Sequence, residues 1–172
     1  MPKKIKHTVC DEKVFSSIYK QYAKDLHDYL YYKFGSQMDI NDKVQDAFMK
    51  LWDNCKDIVP EKARAFLFTV GKNMMLNRFK HQKVILKFQE IRPKDYTNET
   101  PEFLLEEEQF YQKYQKALNS LNEEQRVAFL LNKVEGKRHK EIAEILNITS
   151  RVVEYRIYSA FKIIKEQVKG FK

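Results

Sequence analysis

The sequence predicts an all-α fold made of two small helical domains joined by a short linker. Apolar side chains recur at three- and four-residue spacings along most of the chain, which is the period of an amphipathic helix. Four glycines and four prolines among 172 residues favour helices with short connections over a β-rich fold. Turn-forming residues interrupt the periodicity between residues 89 and 100. We therefore expect domains at residues 1–88 and 101–172, with residues 89–100 as the linker.

Three helices are expected in the N-terminal domain. The first spans residues 12–34 and ends at Gly35, because glycine commonly terminates helices in the left-handed conformation. The second covers residues 40–54 and is capped by Asp39. A third helix covers residues 61–88. The inward face of the second helix is expected to comprise Val44, Phe48, Leu51 and Trp52.

Four further helices are expected in the C-terminal domain. Thr100 and Pro101 form a suitable start for the first of them. Asn122 and Gln125 have the spacing of a capping box before the second. The predicted helices cover residues 101–118, 123–134, 140–146 and 149–169.

The last two helices have the pattern of a helix-turn-helix motif. The string HKEIAEILNITSRVVEYRIYSAFKIIK places the small Ala143 where a second helix crosses closely, and Asn147 where a positive φ is expected. Thr149 then caps the second helix. The first helix is expected to bury Ile142, Ala143 and Leu146, and the second Val153, Ile157, Ala160 and Ile164. The motif predicts duplex DNA binding, and the alternative interpretation is an ordinary helical hairpin with a solvated face.

The opposite face of that second helix supplies the candidate base contacts. Arg151 suits a bidentate contact to guanine, and Glu154 suits acceptance from cytosine N4. Phosphate contacts, which position a protein without specifying sequence, are expected from Lys137, Arg138 and Lys140. The full set expected in the major groove or beside it is Thr149, Ser150, Arg151, Glu154, Tyr155, Arg156 and Tyr158.

Charge is distributed unevenly along the chain, whose formal net charge is +8. The net charge is +7 over residues 1–92, −3 over residues 93–120 and +4 over residues 121–172. Residues 62–87 hold seven Lys or Arg and no acidic side chain. Two basic blocks separated by an acidic stretch indicate two contacts with a polyanion.

The N-terminal basic block interleaves cations, aromatics and amides. Basic side chains can bind the phosphate backbone of a nucleic acid, aromatic rings can stack on bases, and amides can hydrogen-bond to exposed base edges. This combination suits single-stranded nucleic acid. The aromatics are also compatible with core positions. The members of the block are the cations Arg64, Lys72, Arg78, Lys80 and Lys83, the aromatics Phe66, Phe68 and Phe79, and the amides Asn73 and Asn77.

Several function classes are disfavoured by the sequence. Cys10 and Cys55 are isolated, so we expect reduced thiols in a cytoplasmic protein. His7 with Cys10 lacks the two further ligands of a zinc site. No apolar run approaches the ~18 residues of a membrane span. No catalytic grouping and no cofactor motif is visible, which predicts a protein that is not an enzyme.

At this point two segments carry a resemblance to a known family. The first block resembles region 2 of extracytoplasmic-function (ECF) sigma factors of the sigma-70 family, and it reads NDKVQDAFMKLWDN followed by ARAFLFTVGKNMMLNRFK. ALNSLNEEQRVAFLLNKVEGKRHKEIAEILNITSRVVEYRIYSAFKIIK resembles region 4 of the same group. The two blocks occur in the family's order and together cover nearly the whole chain.

The resemblance implies a transcription initiation factor that directs bacterial RNA polymerase core to promoters. Region 4 would read the −35 element as duplex and contact the β flap, and region 2 would read the −10 element as the strands separate. The resemblance assigns contact with the β′ coiled coil to Asp42, Gln45 and Asp46. It assigns the −10 element to the loop of residues 54–60 and the helix after it: Asn54, Lys56, Arg64, Lys72, Asn73, Asn77, Arg78 and Lys80. An anti-sigma partner, a monomeric free state and no membrane insertion are further expectations.

Three positions depart from the family's usual pattern. Lys43 stands where an apolar residue is usual, and Gly71 stands where Ala is common. Glu154 stands where many members have Lys, so a −35 consensus does not transfer directly. Two other interpretations compete: a conventional helix-turn-helix regulator that acts without polymerase, and a helical interaction protein without specific DNA contact.

Overall fold

The computed structural model describes residues 8–36, 39–76, 86–87, 91 and 103–171. These residues form helices and no strand, which confirms the all-α prediction. Tertiary contacts divide the chain into two compact units. The N-terminal unit contains α1 (Glu12–Phe34), α2 (Ile40–Asp53) and α3 (Pro60–Leu76). The C-terminal unit contains α4 (Phe103–Ser120), α5 (Glu123–Lys133), α6 (His139–Leu146) and α7 (Ser150–Gln167). Within the described ranges, no helix combines the length and the apolar character needed to cross a bilayer.

In the N-terminal unit each of the three helices packs against the other two. Leu26, Leu51 and Leu67, one from each helix, are fully buried. Gly71 allows α3 to approach α1 closely, because a Cβ built there would lie 3.1 Å from Leu26 Cδ1. A core of this kind is expected when three amphipathic stripes face one another.

Local signals determine the ends of α1 and α2. α1 stops at Phe34 because Gly35 takes a φ of 85°. The Asp39 carboxylate accepts a hydrogen bond from the Asp42 N–H at 3.0 Å and caps α2. Both predictions are confirmed.

The extent of the third helix was predicted wrongly. α3 is described as far as Leu76, and Leu86 and Lys87 are not helical, so the helix does not continue to Phe88. The Leu86 backbone instead donates to Gln115 Oε1 at 3.2 Å and accepts from the Tyr111 hydroxyl at 2.9 Å. Both partners lie in α4, so tertiary hydrogen bonds replace the helical ones at this point.

Trp52 is a second correction in this unit. Val44, Phe48 and Leu51 are buried as predicted, but the Trp52 side chain is 45% exposed. Its ring lies at the seam of α1 and α2, 5.1 Å from the Phe15 ring. Trp52 lies at the edge of this stripe, so part of its ring stays in contact with water.

In the C-terminal unit α7 packs against α4, α5 and α6. All four predicted inward residues of α7 are buried. In α6 the prediction needs one change, because Ile145 is buried beside Ile142 and Ala143 while Leu146 is only half-buried. Leu146 is the last helical residue, where the chain turns away from the core.

The cysteine prediction is wrong in the structure. Cys10 and Cys55, 45 residues apart, form a disulfide with a Cα–Cα distance of 5.0 Å. Tertiary folding brings the turn before α1 against the residue that follows the cap of α2, a proximity that no sequence spacing signals. In the chain-entropy picture a closed loop of 45 residues stabilises a fold by about 4 kcal/mol.

Candidate nucleic-acid interface

The turn between α6 and α7 is built from two local features. Asn147 adopts φ 54° and ψ 49°, the only positive φ outside glycine among the described residues. Asparagine tolerates this left-handed conformation better than most residues. Thr149 then caps α7, with its Oγ1 accepting from the Val152 N–H at 3.3 Å. Both predictions are confirmed, and together they set the direction in which α7 leaves the turn.

The outward face of α7 is open to solvent in its first two turns. Arg151 and Glu154 are exposed, and the Tyr155 and Tyr158 side chains are 71% and 69% exposed. Thr149 and Ser150 at the start of the helix are also exposed. Large rings are seldom left this open on a solvated helix, so this face is available for a ligand.

Arg156 has a different position from the one predicted for a groove contact. Its guanidinium lies 3.0 Å from the Glu124 carboxylate of α5, and its side chain is only 17% exposed. The prediction that Arg156 touches DNA therefore remains untested, while a contact that links α7 to α5 is in place.

Arg138 and Lys140 are both exposed at the start of α6. The Arg138 backbone N–H donates to the Glu141 carboxylate at 2.7 Å, which completes the first turn of the helix. Cations placed beside the turn are suited to phosphate contacts.

In the N-terminal unit the predicted −10 contacts separate into two groups. Asn54 and Lys56 are exposed in the loop of residues 54–59, and Asn73 is exposed on α3, with Lys72 half-buried beside it. Arg64 instead lies 5.9 Å from the ring centroids of both Tyr22 and Phe68. This cation–π arrangement links α3 to α1 and gives the guanidinium two ring partners within the unit.

The aromatic part of that block does not offer a row of stacking faces. Phe68 is buried and lies 5.4 Å from the Tyr29 ring, and Phe66 is half-buried. The interpretation of Phe68 as a stacking platform is therefore wrong, because the α1–α3 seam covers it. Asn77, Arg78, Lys80 and Lys83, with Phe79, lie outside the residues that the structure describes.

The predicted polymerase-binding residues share one face of α2. Asp42 and Gln45 are exposed and Asp46 is half-exposed. Lys43, whose side chain is 13% exposed, places its Nζ 3.2 Å from a carboxylate oxygen of Asp42 and 3.2 Å from one of Asp46. A hydrogen bond to Asp42 and a second one to Asp46 raise the pKa of the Lys43 ammonium. The unusual lysine therefore holds both carboxylates in place.

Two exposed apolar residues lie beside the predicted site residues but were not predicted with them. Met49 is 64% exposed on the same stripe of α2 as Gln45, and Val152 is 38% exposed in the first turn of α7. Met49 stands at i+4 from Gln45, a spacing that places both on one face of a helix. Neither Met49 nor Val152 was among the residues predicted for the core or for a binding face.

Comparison with known proteins assigns the two units to one family. A model described as Sigma-70 region 2 matches residues 18–84, and one described as Sigma-70, region 4 matches residues 111–164. The chain belongs to the sigma-70 family. This sigma factor carries region 2 in its first unit and region 4 in its second.

The relatives of this sigma factor belong to the ECF group. The ferric citrate uptake sigma factor FecI of Escherichia coli is 28% identical over 145 residues, covering 82% of this chain and 83% of its own. The ECF RNA polymerase sigma-E factor of Haemophilus influenzae is 24% identical over 170 residues, covering 92% and 89%. Among solved structures, RpoE of Bartonella quintana in complex with the anti-sigma factor NepR is 20% identical with a TM-score of 0.56, covering 93% of this chain and 99% of that one. The chain is an ECF sigma factor, a promoter-specificity factor of bacterial RNA polymerase.

Sigma factors are initiation factors without catalysis of their own. In the described part of this chain, no group of three His, Cys, Asp or Glu side chains is placed to hold a metal ion.

Proposed function

We propose that this sigma factor holds core polymerase with α2, captures the opened −10 element with residues 54–59 and α3, and reads the −35 duplex with the first half of α7. The observation that carries the proposal is the exposed face of α7, which begins directly after the left-handed Asn147 and the Thr149 cap.

Recognition of the −35 element rests on the side chains of this face. Arg151 presents a guanidinium that fits guanine O6 and N7, a contact worth about 1–3 kcal/mol of discrimination. Tyr155 and Tyr158 add apolar area beside it. Arg138 and Lys140 flank the turn and suit phosphate contacts that fix the register.

Capture of the −10 element is assigned to a smaller set than the sequence suggested. Asn54, Lys56 and Asn73 are open to solvent and carry the amide and cationic groups that unpaired bases and phosphates require. Lys72 borders them. We assign Arg64 a structural role beneath this surface and not a contact with DNA, because its guanidinium already packs on two rings.

The partners of the protein follow from this proposal. The face of α2 that carries Asp42, Gln45 and Asp46 binds the β′ coiled coil. Region 4 contacts the β flap. The Bartonella neighbour is bound to an anti-sigma factor, which supports an anti-sigma partner for this chain as well. A protein that works on RNA polymerase acts in the cytoplasm, as a free monomer until core binds it.

In vitro transcription with core enzyme tests the proposal. Promoters are first selected with the wild-type holoenzyme, and initiation is then measured for Arg151→Ala on templates with an intact or scrambled −35 element. We expect Arg151→Ala to lower −35-dependent initiation about tenfold or more. Lys162→Ala is the matched control, because it removes an exposed positive charge from the same helix, 11 residues further along. It should lower initiation by less than about threefold, the effect of one phosphate contact.

Two further variants separate the other surfaces. Asn73→Ala should weaken holoenzyme binding to a single-stranded −10 oligonucleotide while binding to the duplex stays unchanged. Gln45→Arg should weaken assembly with core about tenfold, because a large cation replaces an exposed amide at the interface. Failure of the wild-type protein to form holoenzyme would refute the proposal. Binding of palindromic operators without core enzyme would identify a conventional regulator instead.

A further inference from the structure

The cysteine pair lies beside the loop to which −10 capture is assigned. Cys55 is the second residue after α2 ends at Asp53, and α3 begins at Pro60. Cys10 belongs to the turn that precedes α1. We propose that Cys10 and Cys55 form a peroxide-responsive thiol–disulfide site that sets the order of the −10 loop. The inference rests on the proposed function of that loop.

The turn that carries Cys10 is held firmly against the rest of the N-terminal unit. Val9 is fully buried, and the Asp11 N–H donates to the Thr8 carbonyl at 3.0 Å. The Phe15 N–H in turn donates to the Asp11 carbonyl at 2.8 Å, which joins this turn to α1. A disulfide to Cys10 therefore attaches the loop to a fixed part of the unit.

The loop itself has weaker support. At its start Cys55 donates its N–H to the Trp52 carbonyl at 3.1 Å, and Asp57 donates to the Asn54 carbonyl at 3.0 Å. Lys56, Asp57 and Val59 are exposed, so water competes for every contact they make. In the reduced protein the base of this loop is held by turn hydrogen bonds, and in the oxidised protein it is also held covalently.

The chemistry needs a hydroperoxide as oxidant, and hydrogen peroxide serves as the probe. Cys10 is the more exposed of the two, since Cys55 is only 8% exposed, so the Cys10 thiolate attacks the peroxide oxygen. The O–O bond breaks, one oxygen leaves as water, and Cys10 becomes a sulfenic acid. The Cys55 thiolate then attacks the Cys10 sulfur, forms the S–S bond and expels hydroxide, which is protonated to water. Two thiols thus lose two protons and two electrons, and one peroxide becomes two waters.

Such a pair is reduced in the cytoplasm until an oxidant acts on it. Oxidation then orders the loop before it meets DNA, so less entropy is lost when bases are captured. Ordering one or two side chains in advance corresponds to about a two- to tenfold gain in binding. Peroxide should therefore favour strand opening at −10 and leave −35 duplex recognition unchanged.

The experiment compares reduced and oxidised protein in otherwise identical reactions. The purified full chain is treated with hydrogen peroxide or with dithiothreitol, the reagent is removed, and core enzyme is added in thiol-free buffer. Peptide mass mapping should show the Cys10–Cys55 linkage only in the oxidised sample. Permanganate reactivity of −10 thymines should be about two- to tenfold greater for the oxidised form. The thermal midpoint reported by Trp52, the sole tryptophan, should rise by roughly 15 °C or more.

Cys10→Ser is the matched control, because it removes the disulfide without altering the loop. It should behave like the reduced wild type under both treatments, which excludes methionine oxidation as the cause. Absence of the linkage after peroxide treatment would overturn the inference, as would equal strand opening by the two forms of the wild type. That second result leaves the proposed function intact, since both forms initiate. Loss of initiation by both forms would refute the proposed function and the inference together.

Discussion

Gly71 illustrates how a single residue determines the spacing of two helices. A methyl group at this position would lie 3.1 Å from Leu26 Cδ1, which is tighter than ordinary contact, and 3.4 Å from Leu30 Cδ1, which is the near edge of ordinary contact. Both neighbours are ends of flexible side chains, which can shift by a few tenths of an ångström. Gly71 therefore lets α3 lie close to α1 without displacing either leucine, and small shifts of the two side chains would accommodate an alanine.

Substitution of Gly71 tests this explanation. Gly71→Ala should change the free energy of unfolding by less than about 1 kcal/mol, because the better helix propensity of alanine offsets the tight contact. Gly71→Val should destabilise by about 1–3 kcal/mol, because its extra methyl groups overpack the seam. Urea denaturation followed by Trp52 fluorescence measures both. A valine variant as stable as the alanine variant would show that the seam is loose.

Asp28 makes the stability of the N-terminal unit depend on pH. Burial tends to raise the pKa of its carboxyl, but hydrogen bonds with His27 and Lys24, and the charge of Lys24, outweigh this and lower it below the ordinary value. The Lys24 Nζ lies 2.7 Å from one carboxylate oxygen. A group whose folded pKa is depressed adds stability above its unfolded pKa, and that stability is lost as the pH falls through the folded value.

Asp28→Asn should therefore cost about 1–3 kcal/mol at pH 7 and less at pH 3, which lies below the ordinary pKa of the carboxyl. The comparison is made by urea denaturation of the variant and the wild type at the two pH values. Asp57→Asn, an exposed carboxylate outside the helices, is the control and should be neutral at both. A cost for Asp28→Asn that is equal at pH 3 and pH 7 would contradict an ionised native carboxyl.

At the scale of the element, the turn between α6 and α7 determines how the recognition helix is presented. Asn147 supplies the left-handed conformation, and its N–H closes the end of α6 by donating to the Glu144 carbonyl at 3.4 Å. The following Ile148 N–H returns to the Ala143 carbonyl at 3.0 Å. These contacts join two helices through three residues.

Replacing Asn147 should separate tolerated from strained substitutions. Asn147→Gly should leave the thermal midpoint and −35 binding close to wild type, because glycine adopts a positive φ freely. Asn147→Val should destabilise region 4 by about 1–2 kcal/mol or more, because a β-branched side chain is strained there. Circular dichroism melts and holoenzyme binding to a −35 duplex give the two measurements. Equal behaviour of the two variants would mean that the turn adopts another conformation in solution.

At the scale of the whole molecule, each unit has its own core. In the C-terminal unit Phe171 lies near the end of the chain but is 6% exposed, with its ring 5.5, 5.7 and 6.2 Å from those of Tyr114, Phe161 and Phe129. Trp52 lies in the other unit. Fluorescence therefore reports on region 2, while circular dichroism reports on all helices.

Phe171→Ala should destabilise region 4 by about 3–5 kcal/mol, the cost of a large core truncation. We expect part of the circular dichroism transition to move to lower denaturant while the Trp52 fluorescence transition stays in place. Tyr114→Phe is the control, since it keeps the ring and removes a buried hydroxyl without a hydrogen-bond partner. It should cause no loss of stability. A matching shift of both signals in Phe171→Ala would show that the two units unfold as one.

Signals within a few residues of each other were sufficient to predict most of the fold. The Asp39 and Thr149 caps, the Asn122–Gln125 capping box and the left-handed Asn147 all occur where the sequence places them. Each depends on a hydrogen bond or a φ value confined to one turn, so the residue types alone specify it. The exposed face of α7 follows from the same helical periodicity.

Contacts between residues far apart in the chain determine which of the candidate side chains already have a partner within the protein. Arg156 meets Glu124 across 32 residues, Arg64 meets Tyr22 across 42, and Cys10 meets Cys55 across 45. These pairings depend on how helices pack, and helical periodicity specifies a face but not the neighbour that covers it. Local patterns along the chain therefore specify the helices and the turn before α7, whereas packing between helices determines which polar side chains already have partners.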